Sequence, residues 1–187
     1  MKTLRYLIVI AMVVAAGCAK DYPADEVQAV PELKKANVPI PMKADVCAVP
    51  DMESTLLFIP IPGNDPTDPA SCTTSRFIIS GNGTHFGKVD ATSSYYEIAV
   101  FEFQLEDGIP YLFQSGPGML VGANGDYIEY NWWAKASLPD FNWIGEMEIA
   151  GGTGYFEGCS GSCDLAGHFD MVNRMNCWKA EGFLVFD

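Results

Sequence analysis

A regular alternation of apolar and polar residues recurs in five segments of this chain and limits what it can fold into. Residues 42–48 place Met, Ala, Val and Ala on one face and Lys, Asp and Cys on the other, and the same period of two recurs in residues 97–106, 127–135, 143–149 and 159–170. Because successive side chains of a β-strand point to opposite faces of a sheet, this period predicts half-buried strands.

Glycine-rich turn signals separate these strands. Residues 151–154 are Gly-Gly-Thr-Gly, and residues 124–125 are Asn-Gly. Glycine takes positive φ without steric cost, so each signal predicts a tight reversal between two strands. We count about eight to ten strands over residues 42–187 and expect the last, 178–186, to pair back and close the sheet, because closure removes exposed edges. The sequence therefore predicts an all-β domain, a single antiparallel β-barrel.

The first 17 residues have the layout of a secretory signal. A basic start precedes an apolar run over residues 6–14, which is too short for a membrane span. The sequence Ala-Ala-Gly-Cys that ends at Cys18 resembles the lipobox of bacterial lipoproteins, although leucine is commonest where this chain has Ala15. The resemblance implies that residues 1–17 are a signal peptide and that Cys18 carries the lipid. The alternative is ordinary cleavage after Ala19.

The stretch from residue 18 to residue 41 is predicted to be a flexible tether. Its four prolines and mixed charges interrupt any long helix. A lipid-bearing Cys18 implies a bacterial cell-envelope protein whose partner is the membrane. We expect the anchor to lie in the outer membrane, with the barrel in the periplasm or on the cell surface.

Charge and motifs exclude several classes of function. The formal net charge of −13 repels phosphate backbones, so nucleic acid is not an expected partner. The chain has no G-x-S-x-G, H-E-x-x-H or Walker motif. Cys159, Cys163, His168 and His85 do not match a common zinc-binding spacing, so we expect no metal and no cofactor.

Three glycine-centred segments carry a resemblance to a known family: residues 83–87 (GTHFG), 123–126 (ANGD) and 151–158 (GGTGYFEG). They are similar to the G-T-H-L-G, A-N-G-D and G-G-T-G-R-F-x-G signatures of uncharacterised bacterial secreted proteins. The barrel of those proteins resembles allene oxide cyclase and dirigent proteins, in the calycin-like group. The resemblance implies a barrel around an apolar cavity. In the plant relatives that cavity holds a fatty-acid epoxide or a phenolic radical, but their catalytic residues have no match in this chain, so no activity is carried over.

The cysteines of an exported chain predict disulfides, because the envelope is oxidising. Lipidation of one of the six leaves Cys47, Cys72, Cys159, Cys163 and Cys177. Four extended steps of about 3.3 Å separate the Cα atoms of Cys159 and Cys163 by about 13 Å, beyond the ~7 Å limit for a bridge. We therefore expect Cys47 to pair with Cys72, and Cys177 to pair with Cys159 or Cys163.

The alternation also places candidate cavity residues. We expect His85, Phe101, Phe103 and Trp143 to face the barrel interior. An inward His85 can act as an acid or base near neutral pH, but we favour a buried histidine bonded to the backbone. The four tryptophans either line an aromatic pocket, present a carbohydrate-stacking face, or serve as core residues, which is the interpretation we favour for most of them. Since Trp132 and Trp133 are adjacent on a strand, one of them faces outward.

Three functional hypotheses follow. The leading one is a lipid-anchored envelope protein whose barrel binds a small apolar ligand or a partner without catalysis. The second is a cyclase-type or dirigent-type enzyme that uses the same cavity. The third is a structural or adhesion protein with a filled barrel. A carboxylate or tyrosine hydroxyl buried beside His85 would favour the enzyme over the binder.

Overall fold

The computed structural model describes residues 38–187, and the predicted signal peptide, Cys18 and most of the tether lie outside them. Apart from two single turns of 3-10 helix, Pro69–Ser71 and Gly154–Phe156, the regular structure of these residues is all strand. The strands are β1 (Ile40–Pro50), β2 (Leu56–Phe58), β3 (Cys72–Thr74), β4 (Arg76–Gly83), β5 (Gly87–Val89), β6 (Tyr95–Glu97), β7 (Val100–Glu106), β8 (Ile109–Val121), β9 (Tyr127–Ser137), β10 (Asn142–Gly152), β11 (Cys159–Asp170) and β12 (Met175–Phe186).

Eight of these strands form a closed antiparallel barrel. Their order around the barrel is β1-β12-β11-β10-β9-β8-β6-β4, and the pairing of β4 with β1 closes it. Two further strands add to the same sheet, β5 beside β4 and β7 beside β8, while β2 and β3 form a separate hairpin. The predicted all-β barrel is confirmed, and so is the predicted return of the last strand, because β12 joins β11 to β1.

Residues that alternate along the sequence alternate between the interior and the outer surface of the barrel. In β1, Met42, Ala44, Val46 and Ala48 are all buried, as the alternation predicts. In β10, every second residue from Trp143 to Ile149 is buried, and the glutamates between them are exposed. The strand β1 starts at Ile40, so the last two residues assigned to the tether belong to the barrel. Burial of this inner face supplies the hydrophobic stabilisation of the domain.

The two ends of the barrel differ. At one end, which we call the closed end, the turns 84–86, 122–126 and 153–158 bring the three glycine-centred segments together. Phe86 stacks on Phe156 with ring centroids 4.5 Å apart, and both side chains are buried. Asp126 accepts a hydrogen bond from the backbone N–H of Tyr155 at 3.0 Å and another from the side chain of Asn124 at 2.8 Å. The residues of the family resemblance therefore close one end of the barrel.

The reversal after β10 corrects one prediction. Gly151 and Gly152 do not form the turn, because they continue β10 and pair with β9 after a bulge that follows Ile149. The chain reverses over residues 153–158, where Gly154 and Gly158 have positive φ. The reversal is longer than the predicted tight turn because a 3-10 turn inserts the Phe156 side chain into the barrel.

The disulfide also corrects the predicted pairing. Cys47 bonds to Cys177. The predicted pair of Cys47 with Cys72 is therefore wrong, and so is the predicted pair of Cys177 with Cys159 or Cys163. The physical reason is the strand register, since Cys47 in β1 lies directly opposite Cys177 in β12. Both cysteines lie between inward-facing neighbours, so the bridge is on the outer face. It joins the first barrel strand to the last.

Candidate functional site

A cavity of about 600 Å³ opens at the end of the barrel opposite the closed end. This volume is within the ~300–1,000 Å³ of typical small-molecule sites. Its walls are the inner faces of the barrel strands, and they include the aromatic rings of Phe77, Tyr96, Phe101, Trp132, Trp143 and Trp178. The barrel therefore encloses a space that its own side chains do not fill.

The mouth of the cavity is built by the segment between β1 and β4 and by the loops 138–141 and 171–174. The β2–β3 hairpin contributes Leu56 and Cys72, and the flanking loop contributes Ile59. Met52 and Met171 also line the mouth while remaining largely exposed. The residues of this segment thus give the mouth a largely apolar rim.

Aromatic contacts hold the wall in place around Tyr96. Its ring stacks on Phe77 with centroids 4.9 Å apart, and it meets Trp132 edge-on at 5.0 Å and Trp178 at 5.9 Å. Trp143 in turn packs on Trp178 at 5.9 Å. Such pairs add stability beyond the burial of their area. The wall is therefore a connected set of rings that does not need a ligand to hold its shape.

The position of Trp143 depends on a glycine in the neighbouring strand. Gly167 of β11 lies opposite Trp143 of β10. A Cβ atom added to Gly167 would stand 2.5 Å from two atoms of the indole ring, closer than side chains approach each other. The absence of a side chain at Gly167 therefore makes room for the indole of Trp143 beside β11.

Few polar groups face this cavity. The indole N–H of Trp143 donates a hydrogen bond to Asn176 Oδ1 at 2.8 Å, and Asn176 Nδ2 donates one to the Tyr96 hydroxyl at 3.2 Å. Burial raises the pKa of both Tyr96 and Tyr130, so both phenols keep their protons at physiological pH. The Tyr130 hydroxyl donates to the backbone carbonyl of Tyr95 at 3.5 Å.

The lining has almost no charge. Among the described residues that line the cavity there is no aspartate, glutamate or histidine, and Arg174 is the one charged side chain. Arg174 is exposed on the loop between β11 and β12 at the mouth. The interior therefore offers hydrogen bonds and apolar contacts, and its titratable side chains apart from Arg174 are Tyr96, Tyr130 and Cys72.

Two of the four residues predicted to line the cavity do so in the structure. Phe101 and Trp143 line the cavity, and Phe103 is half-buried and does not belong to the lining. Of the adjacent tryptophans, Trp132 is buried in the wall and Trp133 is on the outside, as the alternation requires. The sequence interpretation named Trp132 and Trp178 mainly as core residues, and only the closed barrel shows that they also face a shared space.

His85 is not inside the barrel, contrary to the prediction. The chain turns over residues 84–86 with His85 at φ 71°, so Phe86 takes the inward position and His85 is exposed. The His85 ring stacks on Tyr155 at 5.8 Å, and its Nε2 lies 3.1 Å from the backbone carbonyl of Pro41. The expected bond to the backbone is present, but it forms at the surface of the closed end, away from the cavity.

The cysteines outside the disulfide have different environments. Cys72 lies at the mouth and is half-exposed. Cys163 is buried, and desolvation, followed by the nearby charge of Asp164, raises the pKa of its thiol to about 11. It is therefore a thiol at neutral pH and a poor nucleophile. No cluster of His, Cys, Asp and Glu within residues 38–187 could hold a metal ion.

Two observations bear on identity. Among the described residues, no helix is long and apolar enough to cross a membrane. Comparison of the chain with models of known protein families, with curated proteins and with solved structures finds no match, so the resemblance to allene oxide cyclase-like barrels stays a prediction.

Proposed function

We propose that this protein is a lipid-anchored envelope protein whose barrel binds a small apolar molecule without catalysis. The observation that carries the proposal is the apolar cavity of about 600 Å³, with its pre-formed aromatic wall. Removing apolar surface from water contributes about 25 cal/mol per Å², so a molecule enclosed by this wall gains affinity from contact area alone. A wall that keeps its shape without ligand also lowers the entropy cost of binding.

The composition of the lining favours binding over catalysis. A cyclase or a coupling enzyme needs groups that move protons or stabilise charge where the substrate reacts. The lining residues described above offer neutral tyrosines with raised pKa values and Arg174 at the mouth. The size of the cavity also disfavours the filled barrel of the structural hypothesis.

We expect Ala134→Phe to abolish or strongly weaken ligand binding. Ala134 is buried and lines the cavity, so a phenyl ring there occupies the space that the ligand needs. One methylene group more or less in a hydrophobic pocket already changes the preference between two ligands ~10–200-fold. We therefore expect the added phenyl ring to lower the affinity for the ligand by at least about tenfold. The measurement is native mass spectrometry of protein purified from its own envelope, combined with the change in tryptophan fluorescence on addition of apolar ligands.

The matched control is Ala166→Phe. Ala166 is exposed on the outer face of β11, so the same ring there leaves the cavity unchanged and binding intact. Equal binding by the wild type and both variants would place the ligand outside the cavity. Absence of any ligand from the native protein and failure of every added apolar ligand to bind would refute the binding function.

The anchor is tested separately, because Cys18 lies outside the described residues. We expect Cys18→Ser to move the protein from the membrane fraction to the soluble fraction, since the acyl chains that hold it at the membrane are lost. Fractionation of cells followed by mass analysis of the N-terminal peptide measures this. A Cys18→Ser protein that stays in the membrane fraction, or a wild-type peptide without added acyl mass, would contradict the anchor.

A further inference from the structure

We propose that the ligand of this cavity is uncharged and carries a hydrogen-bond-accepting oxygen, such as a carbonyl or ether oxygen, that the hydroxyl of Tyr96 binds. The inference rests on the proposed binding function and specifies its ligand. It follows from the hydrogen bonds around Tyr96, the charge of the lining and the depth of the cavity.

The hydroxyl of Tyr96 has an unused proton. Tyr96 is only 6% exposed and lines the cavity. Its oxygen accepts from Asn176 Nδ2, and the orientation of that amide is set because Asn176 Oδ1 accepts from the indole of Trp143. None of the described hydrogen bonds uses the Tyr96 proton as donor, whereas the Tyr130 hydroxyl donates to a backbone carbonyl. A buried donor without an acceptor costs free energy, so a ligand oxygen at this point is stabilising.

The charge of the lining excludes an ionised head group beside Tyr96. A buried carboxylate needs a cation or several donors to offset its desolvation. Arg174 is the one cation in the described lining, and it is exposed on the loop at the mouth. The phenol is a neutral donor that keeps its proton because burial raises its pKa. A neutral acceptor therefore fits this position, and an anion does not.

The strand positions orient the ligand. Asn176 is the second residue of β12, which starts at the open end of the barrel, so the polar cluster lies nearer the mouth than the closed end. Among the deeper lining residues, Leu120 and Met147 are apolar, and the indole N–H of Trp132, which lies opposite Met147, is a second buried donor without a described partner. The oxygen of the ligand is therefore placed towards the mouth, with its hydrocarbon part towards the closed end.

Three probes of nearly equal length separate the alternatives: methyl laurate, tridecane and lauric acid. Each is titrated into the full-length protein at neutral pH, with the change in intensity and wavelength of tryptophan emission as the signal, since Trp132, Trp143 and Trp178 line the cavity. We expect the ester to bind more tightly than the alkane and the carboxylate. We expect Tyr96→Phe to weaken ester binding about tenfold and to leave alkane binding unchanged, because it removes one hydrogen bond.

Tyr130→Phe is the matched control. It removes a buried phenol of the same cavity whose hydroxyl, unlike that of Tyr96, has a described acceptor, the Tyr95 carbonyl at 3.5 Å, so the preference for the ester should survive. Circular dichroism of both variants verifies that they are folded. Equal binding of ester and alkane, or equal loss of both in Tyr96→Phe, overturns the inference and leaves the apolar binding function standing. Tighter binding of lauric acid than of its ester also overturns it and assigns the head group to Arg174. Failure of all three probes to bind counts against both proposals.

Discussion

Replacing Phe156 by alanine is expected to lower the free energy of unfolding by about 3–5 kcal/mol, the usual cost of truncating a buried phenylalanine. Phe156 is 1% exposed and packs against Phe86 and Tyr155, with ring centroids 4.5 Å and 5.1 Å away. Its removal leaves a void at the closed end that the surrounding strands cannot collapse into, because the barrel is held by hydrogen bonds on every side. Urea unfolding followed by circular dichroism measures the change.

Two further variants show whether the loss comes from the packing of Phe156. Phe156→Leu keeps much of the buried volume, so we expect a clearly smaller loss of stability. Val172 is 90% exposed, and Val172→Ala should change stability by no more than about 0.5 kcal/mol. A Phe156→Ala protein as stable as the wild type would show that the closed end does not depend on this side chain.

Loss of the disulfide is expected to cost about 2–5 kcal/mol. Cys47 and Cys177 are 130 residues apart in sequence, so the bond restricts most of the unfolded barrel chain. It also ties β1 to β12, and β1 completes the barrel through its second pairing with β4. Urea unfolding of the double variant Cys47→Ala, Cys177→Ala, against the oxidised wild type, measures the loss.

Reduction provides the matching comparison. A thiol reductant should destabilise the wild type by a similar amount and leave the double variant unchanged. Cys72→Ser alters a half-exposed residue at the mouth and should have an effect within about 0.5 kcal/mol. A wild type whose unfolding is the same with and without reductant would contradict the assigned bridge or its contribution.

Local pattern predicted the strands well and their connections less well. The alternation in residues 42–48 assigns the inner face of β1 correctly, because the side chains of a strand alternate whatever it pairs with. The same reasoning failed at His85, because the chain turns over residues 84–86 and the positive φ of His85, 71°, brings Phe86 inward in its place. It failed again at 151–152, where a bulge continued a strand that the glycines were expected to end.

The alternation of residues was not enough to predict the candidate site. Trp143 and Phe101 were predicted to face the interior, and both line the cavity. The position of the Trp143 indole depends on Gly167 of the next strand, and nothing in the sequence shows that these two residues lie opposite each other. The hydrogen bonds that connect Trp143, Asn176 and Tyr96 join residues up to 80 positions apart. Such contacts are set by the register between strands, which a period of two leaves undetermined.

By itself the sequence determined that this protein is an all-β barrel, which residues of β1 and β10 face inward, and that the last strand returns to the first. The tertiary structure decided that Cys47 bonds to Cys177, that the three glycine-centred segments meet at the closed end, and that the aromatic residues surround a cavity at the other end. The physical reason is the distance along the sequence over which each interaction acts. Alternation and turn chemistry act between neighbours in sequence, whereas a bridge, a closed end and a cavity depend on which strands pair and in what register.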